Sequence, residues 1–130
     1  MAQSALPGIF TYSNTSQGIM QNQDFRLNGP AATPRGGTAV IVYLTGIGLV
    51  DNTIAPGAVT SNSPLSRSLA RFTATIGGRP AEVLFAGYSP GSIGLAQVNV
   101  LVPSGLTGAQ QSVLFANNIT SAPVLVYVAP

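Results

Sequence analysis

Residues 71–103, RFTATIGGRPAEVLFAGYSPGSIGLAQVNVLVP, decide how the rest of the chain is read. In AQVNVLVP (96–103), Val98, Val100 and Val102 fall on one face of an extended chain, and Gln97, Asn99 and Leu101 on the other, because successive strand side chains point to opposite sides. A slip of one residue buries Gln97 and Asn99 in place of valines, so the register is firmly set. Pro103 has no N–H for a ladder and ends the strand. Upstream, Gly77-Gly78-Arg79-Pro80 separates two strand-like runs; the glycines supply the positive φ values of a tight hairpin, and Pro80 presets the exit. Between the hairpin and the valine strand, AGYSPGSIGLA (86–96) is expected to cross the end of the fold as a connection, with Tyr88 and Ile93 packing down as plugs.

The same period of two recurs along the chain. TAVIVYL (38–44), RFTATIG (71–77), AEVLFAG (81–87), QSVLFANN (111–118) and APVLVYVA (122–129) are short β-branched or aromatic runs bounded by Gly, Pro, Asn and Ser. GIFTY (8–12), and GIMQ (18–21) with FRLN (25–28), add shorter strands near the N-terminus. No segment holds helical spacing for ten residues or more, and 15 Gly with 10 Pro oppose helices. Seven to nine strands separated by turn signals predict an all-β sandwich of two antiparallel sheets. A length of 130 residues suits one domain, with residues 1–34 an extended segment and short hairpin and residues 35–130 the core sandwich.

Composition narrows the function. Only 6% of residues are charged, against about a quarter in ordinary globular chains, so Ser, Thr, Asn, Gln and Gly must cover the surface. Such a neutral exterior suits an extracellular or cell-surface protein. MAQSALPG at the start has neither the basic region nor the apolar core of a secretory signal, so the expected chain is a mature product or an excised module. The net charge of +2 comes from five scattered arginines, Arg26, Arg35, Arg67, Arg71 and Arg79, against Asp24, Asp51 and Glu82; phosphate binding needs cations converging on one face, and no nucleic-acid partner is expected. The longest apolar-rich stretch, TAVIVYLTGIGLV (38–50), falls short of the roughly 18 apolar residues of a membrane helix and predicts no membrane insertion.

Zero Cys and zero His remove disulfides, thiolate sites, the common general base and the common metal ligand. A serine nucleophile lacks its histidine, and a carboxylate pair would have to come from three dispersed acids, so no enzyme activity is expected. No cofactor is expected either. GIG (46–48) lacks the third glycine of a dinucleotide fingerprint, since that position is Asp51, and reads as a turn. RGG (35–37) occurs once and reads as an interstrand turn rather than an RNA-binding repeat. A calcium ion would require Asp51, Asp24 and carbonyls to meet in space, which their spacing does not support. Asn14-Thr15-Ser16 and Asn118-Ile119-Thr120 fit the glycosylation pattern and read as chance matches in a chain rich in these residues.

The ordered set PGIFT (7–11), NQDFRLNGP (22–30), RGGTAVIVYLTGIG (35–48), ATIGGRPAEVLFAGYSPGSIGLAQVNVLVP (74–103) and SAPVLVYV (121–128) resembles an uncharacterised Ig-like, IPT/TIG-related C-terminal domain of large secreted proteins from soil bacteria such as the acidobacteria. The IGG-x-PA-x-VLFAG hairpin and the GL-x-QVNV-x-VP strand are its most specific parts. That resemblance implies an immunoglobulin-like, IPT/TIG-related β-sandwich, usually sitting after repeats or other extracellular modules, and it implies no reaction.

The expected function is therefore a non-catalytic extracellular structural or adhesive module. It would meet neighbouring domains or copies of itself through exposed strand edges, because the charges that usually guard edges are scarce. The C-terminal APVLVYVAP (122–130), apolar on both faces, and the N-terminal AQSALPGIFTY (2–12) are the segments expected to dock on a neighbour. The alternative is a carbohydrate-binding module contacting a polysaccharide through loop aromatics and amides. Its candidate contacts are Phe10, Tyr12 and Tyr88 with Gln97 and Asn99; Tyr43 and Tyr127 lie within strands and read as sheet or core residues.

Overall fold

A computed structural model describes residues 8–29, 33, 36–48, 50–51, 58–60, 66–92, 95–116 and 119–129. Asn118 and Ile93, and the first part of the N-terminal docking segment, lie outside these residues. Among the described residues the chain is all-β, with β1 (Gly8–Ile9), β2 (Met20–Asn22), β3 (Ala39–Thr45), β4 (Phe72–Ile76), β5 (Arg79–Ala81), β6 (Val83–Tyr88), β7 (Ala96–Leu101), β8 (Gly108–Ala116), β9 (Ile119–Thr120) and β10 (Val124–Val128). They form two antiparallel sheets consistent with a sandwich. One runs β1-β3-β7-β6, with β2 also beside β3; the other runs β10-β8-β4-β5, with β9 also beside β8. The tally reaches ten because β9 is an added two-residue pairing and the run from Arg79 to Tyr88 divides in two, while the expected strand at 25–28 reduces to a single bridge between Leu27 and Gln21.

That division is a correction to the expected single strand at 81–87. Gly77 and Gly78 take φ of 60° and 77° and close a two-residue turn that pairs Ile76 with Arg79, as the sequence predicts. After Ala81 the chain leaves β4 and joins the opposite sheet; the Glu82 carbonyl already accepts from Leu101 N–H at 2.8 Å. Pro80, opposite Thr75, sits one residue from the turn-closing pair, so its missing N–H falls on the outer edge and blocks further strand addition there. A second correction concerns AGYSPGSIGLA. Tyr88 still belongs to β6, and the loop joins β6 to the neighbouring β7 in one sheet, with Ser89 N–H bonded to Leu95 O at 2.7 Å, rather than crossing between sheets.

The two inner faces close on each other along the valine alternation. Val98, Val100 and Val102 of the β7 run meet Ile76, Leu114 and Val126 from the second sheet, all at most 1% exposed. Each fully buried side chain of this kind contributes roughly 1.5–3 kcal/mol, so truncating Leu114 to Ala removes both that burial and the packing around it.

The N-terminal segment ties the sheets together. Residues 16–18 lie parallel to β10, Leu125 N–H donating to Ser16 O at 2.6 Å and Gly18 N–H to Leu125 O at 3.0 Å. Two residues on, the Asn28 side chain replaces a strand: Nδ2 donates to Tyr127 O and Oδ1 accepts from Tyr127 N–H, both at 2.8 Å. The outer edge of β10, expected to dock on a neighbour, is thus covered by its own chain at Leu125 and Tyr127. These contacts also orient the ends. Gly8 pairs with Thr45 at the finish of β3, whereas Val128 pairs with Gly108 near the start of β3, because Asn28 links Tyr127 to Asn22 and Asn22 pairs with Val40. The described chain therefore enters at one end of the sandwich and leaves at the other.

Candidate functional site

The outward face of the first sheet carries the most developed surface feature. β7 presents Gln97 and Asn99 outward between buried valines, as alternation requires. Beside it, β6 carries a bulge between Val83 and Phe85 that sets Val83 opposite inward Val100 but Phe85 opposite outward Asn99. A large aromatic ring thereby moves to the outer face. Gly87 follows, opposite Gln97; a Cβ there would stand 2.0 Å from Ser66 O and 2.9 Å from the Phe85 ring. Only glycine lets residues 66–68 lie this close, where Ser68 N–H donates to Ala86 O at 2.8 Å and Tyr88 N–H to Ser66 O at 3.0 Å.

This segment delivers Arg67. Its backbone is held by Asp51, whose Oδ1 accepts from Arg67 N–H and whose N–H donates to Arg67 O, each at 2.9 Å. Its guanidinium carbon lies over the Phe85 ring, 5.2 Å from the centroid, within cation–π range. Below it, Ser89 Oγ donates to Gln97 Oε1 at 2.5 Å, and Gln97 Nε2 donates to Asn99 Oδ1 at 2.9 Å. Arg67, Leu84, Phe85, Pro90, Gln97 and Asn99 enclose an open cleft of about 230 Å³.

The structure brings two of the five expected contact residues, Gln97 and Asn99, into this cleft. Tyr88 is not a loop residue: it ends β6 opposite buried Ala96 and packs against the core. Phe10, 40% exposed, and half-buried Tyr12 belong to a hairpin beside β3, where Phe10 N–H donates to Tyr43 O; neither lines the cleft. Tyr43 is on the outer face rather than in the core, its hydroxyl donating to Gln21 Oε1 at 2.5 Å, and burial raises its phenol above the ordinary value of 10.0. Arg67, Leu84 and Phe85 were not legible as contacts. Nothing in the sequence announces the bulge, and Arg67 reaches Phe85 only through tertiary pairing.

The acids stand apart. Asp24 sits in the turn after β2, where the Arg26 backbone N–H and then the Arg26 side chain hold its carboxyl below the ordinary 3.8. Asp51 binds the Arg67 backbone. Among the described residues no three acidic side chains gather as a metal site would require.

Geometry thus defines an all-β protein of two antiparallel sheets with a cleft of mixed polar and apolar lining on one outer face. No family model, curated protein or solved structure matches the chain.

Proposed function

We propose that this protein is a non-catalytic, extracellular, Ig-like structural or adhesive module. The observation that carries this reading is the placement of Gly8 and Val128 at opposite ends of the sandwich, which lets it act as one link in an extended series with neighbouring domains on either side. The internally covered edge of β10 supports the same reading, since a link in a series keeps its strands to itself. Self-association through an edge then falls, among the described residues, to the short β1 and β9 or to the part of β6 at Leu84. The test is single-molecule stretching of the chain held at both ends. A module that carries tension yields one cooperative rupture, and smooth extension without a rupture argues against the proposal.

A second reading is favoured by a specific observation. Gln97 and Asn99 are bonded to each other yet keep an N–H of each amide directed to no other described residue, beside Arg67 in a cleft. Paired amides next to an apolar ring suit the hydroxyls and C–H faces of a sugar. On this reading the module adheres by binding carbohydrate at the outer face of the first sheet. A glycan array with no bound polysaccharide removes it.

A further inference from the structure

Resting on the carbohydrate reading, we infer that the cleft over Phe85 is selective for one carboxylate-bearing sugar unit, of the uronic-acid class, rather than for neutral sugars. The first ground is charge. The lining carries one formal charge, the Arg67 guanidinium, and no carboxylate. Asp51, the acid bonded to this segment, is engaged by the Arg67 backbone N–H. The guanidinium makes no ion pair among the described residues, where the one side-chain pair is Arg26 with Asp24.

The second ground is preorganisation. The Phe85 ring holds the guanidinium over it at 5.2 Å, and the guanidinium edges carry its N–H donors. The planar guanidinium fork matches a planar carboxylate by two parallel hydrogen bonds, whereas a lone hydroxyl uses only one of them. Gly87 and the two Asp51 bonds fix where the backbone of residue 67 sits beside β6, so the fold has already placed the stem of this side chain at the cleft.

The third ground is the polar row next to the cation. Ser89 donates to Gln97 and Gln97 donates to Asn99, so the row runs in one direction and ends on an Asn99 amide whose Nδ2 has no partner among the described residues. Each amide oxygen also keeps a second lone pair. Hydroxyl groups both donate and accept, and neighbouring sugar hydroxyls can bridge two adjacent amides. A simple anion has no groups for this row. At about 230 Å³ and open to solvent, the cleft is below the range of drug-sized sites and matches a single ring, which sets the expected affinity in the millimolar range.

The experiment is an amide-detected NMR titration of the full chain with D-galacturonate, D-galactose and acetate, each up to about 50 mM at constant ionic strength. The inference expects saturable shifts at the side-chain amides of Gln97 and Asn99 and at Arg67 Nε with galacturonate, at least tenfold tighter than with galactose or acetate, in keeping with hydrogen bonds to a charged partner. Arg67→Gln, an exposed substitution whose spectrum itself reports folding, should bring galacturonate down to the galactose level. Equal binding of galactose and galacturonate overturns the selectivity while leaving the carbohydrate reading standing. Acetate binding as tightly as galacturonate overturns the sugar assignment, and no saturable shift with any of the three overturns both.

Discussion

Replacing Asn28 by Ala tests the covered edge of β10 most directly. Asn28 is 1% exposed, and its side chain makes three hydrogen bonds: to Tyr127 O, from Tyr127 N–H, and to Asn22 Oδ1 at 3.0 Å. Its backbone N–H bond to Met20 O survives the change, so local chain direction is kept. At about 1 kcal/mol net per bond the expected loss is about 3 kcal/mol, with Tyr127 left as an unpaired edge residue. For a chain of this length that is a drop in Tm of roughly 10 °C. Urea unfolding followed by tyrosine fluorescence reads the loss as a lower midpoint at unchanged slope. Light scattering reads the freed edge as concentration-dependent association. Asn28→Asp, nearly equal in size, keeps the acceptor for Tyr127 N–H but turns an oxygen toward Tyr127 O, so it should be at least as damaging as Ala. A loss below about 1 kcal/mol in Asn28→Ala, or a near-native Asn28→Asp, refutes the reasoning, because water would then be shown to replace the amide.

Three further outcomes follow from the geometry. Gly87→Ala forces a Cβ to within 2.0 Å of Ser66 O, so residues 66–68 must lift from β6; expected are faster amide exchange at Ser68 and Tyr88 and a loss of about 2 kcal/mol, with native-like exchange counting against the close approach. Gly78→Ala meets no neighbouring atom within 4 Å, so its loss of about 1–2 kcal/mol comes from the φ of 77° alone, and Gly78→Asn should recover part of it in denaturant melts. Stability should fall at both extremes of pH. Asp24 has a lowered folded pKa, so its contribution is present above the ordinary 3.8 and fades as pH drops through the lower folded value; Tyr43 has a raised one, so its contribution is full below 10.0 and is lost as pH rises through the folded value, which phenolate absorbance of Tyr43 should place above 10.0.

Much of the fold was legible because alternation is a local property. The valines of residues 96–102 specify which face is buried whatever the partner strand turns out to be, and Gly77-Gly78 specifies a tight reversal because few other residues adopt those φ values. Gln97 and Asn99 were legible as outward for the same reason. Tyr88 was misplaced because a glycine and a proline on either side look like loop signals, although Gly87 serves a close backbone approach inside a strand.

The sequence by itself determined most of the strands, the inward and outward faces of β7, and the scarcity of proton-transfer and metal-binding groups, since these depend on residue type and near neighbours. Only tertiary structure decided that the chain changes sheets at Glu82, that Asn28 pairs with Tyr127 across 99 positions, and that Arg67 lies over Phe85. Those choices depend on which distant backbone groups come within hydrogen-bond reach once the core has closed, and a strand pattern is compatible with many partners until burial selects one.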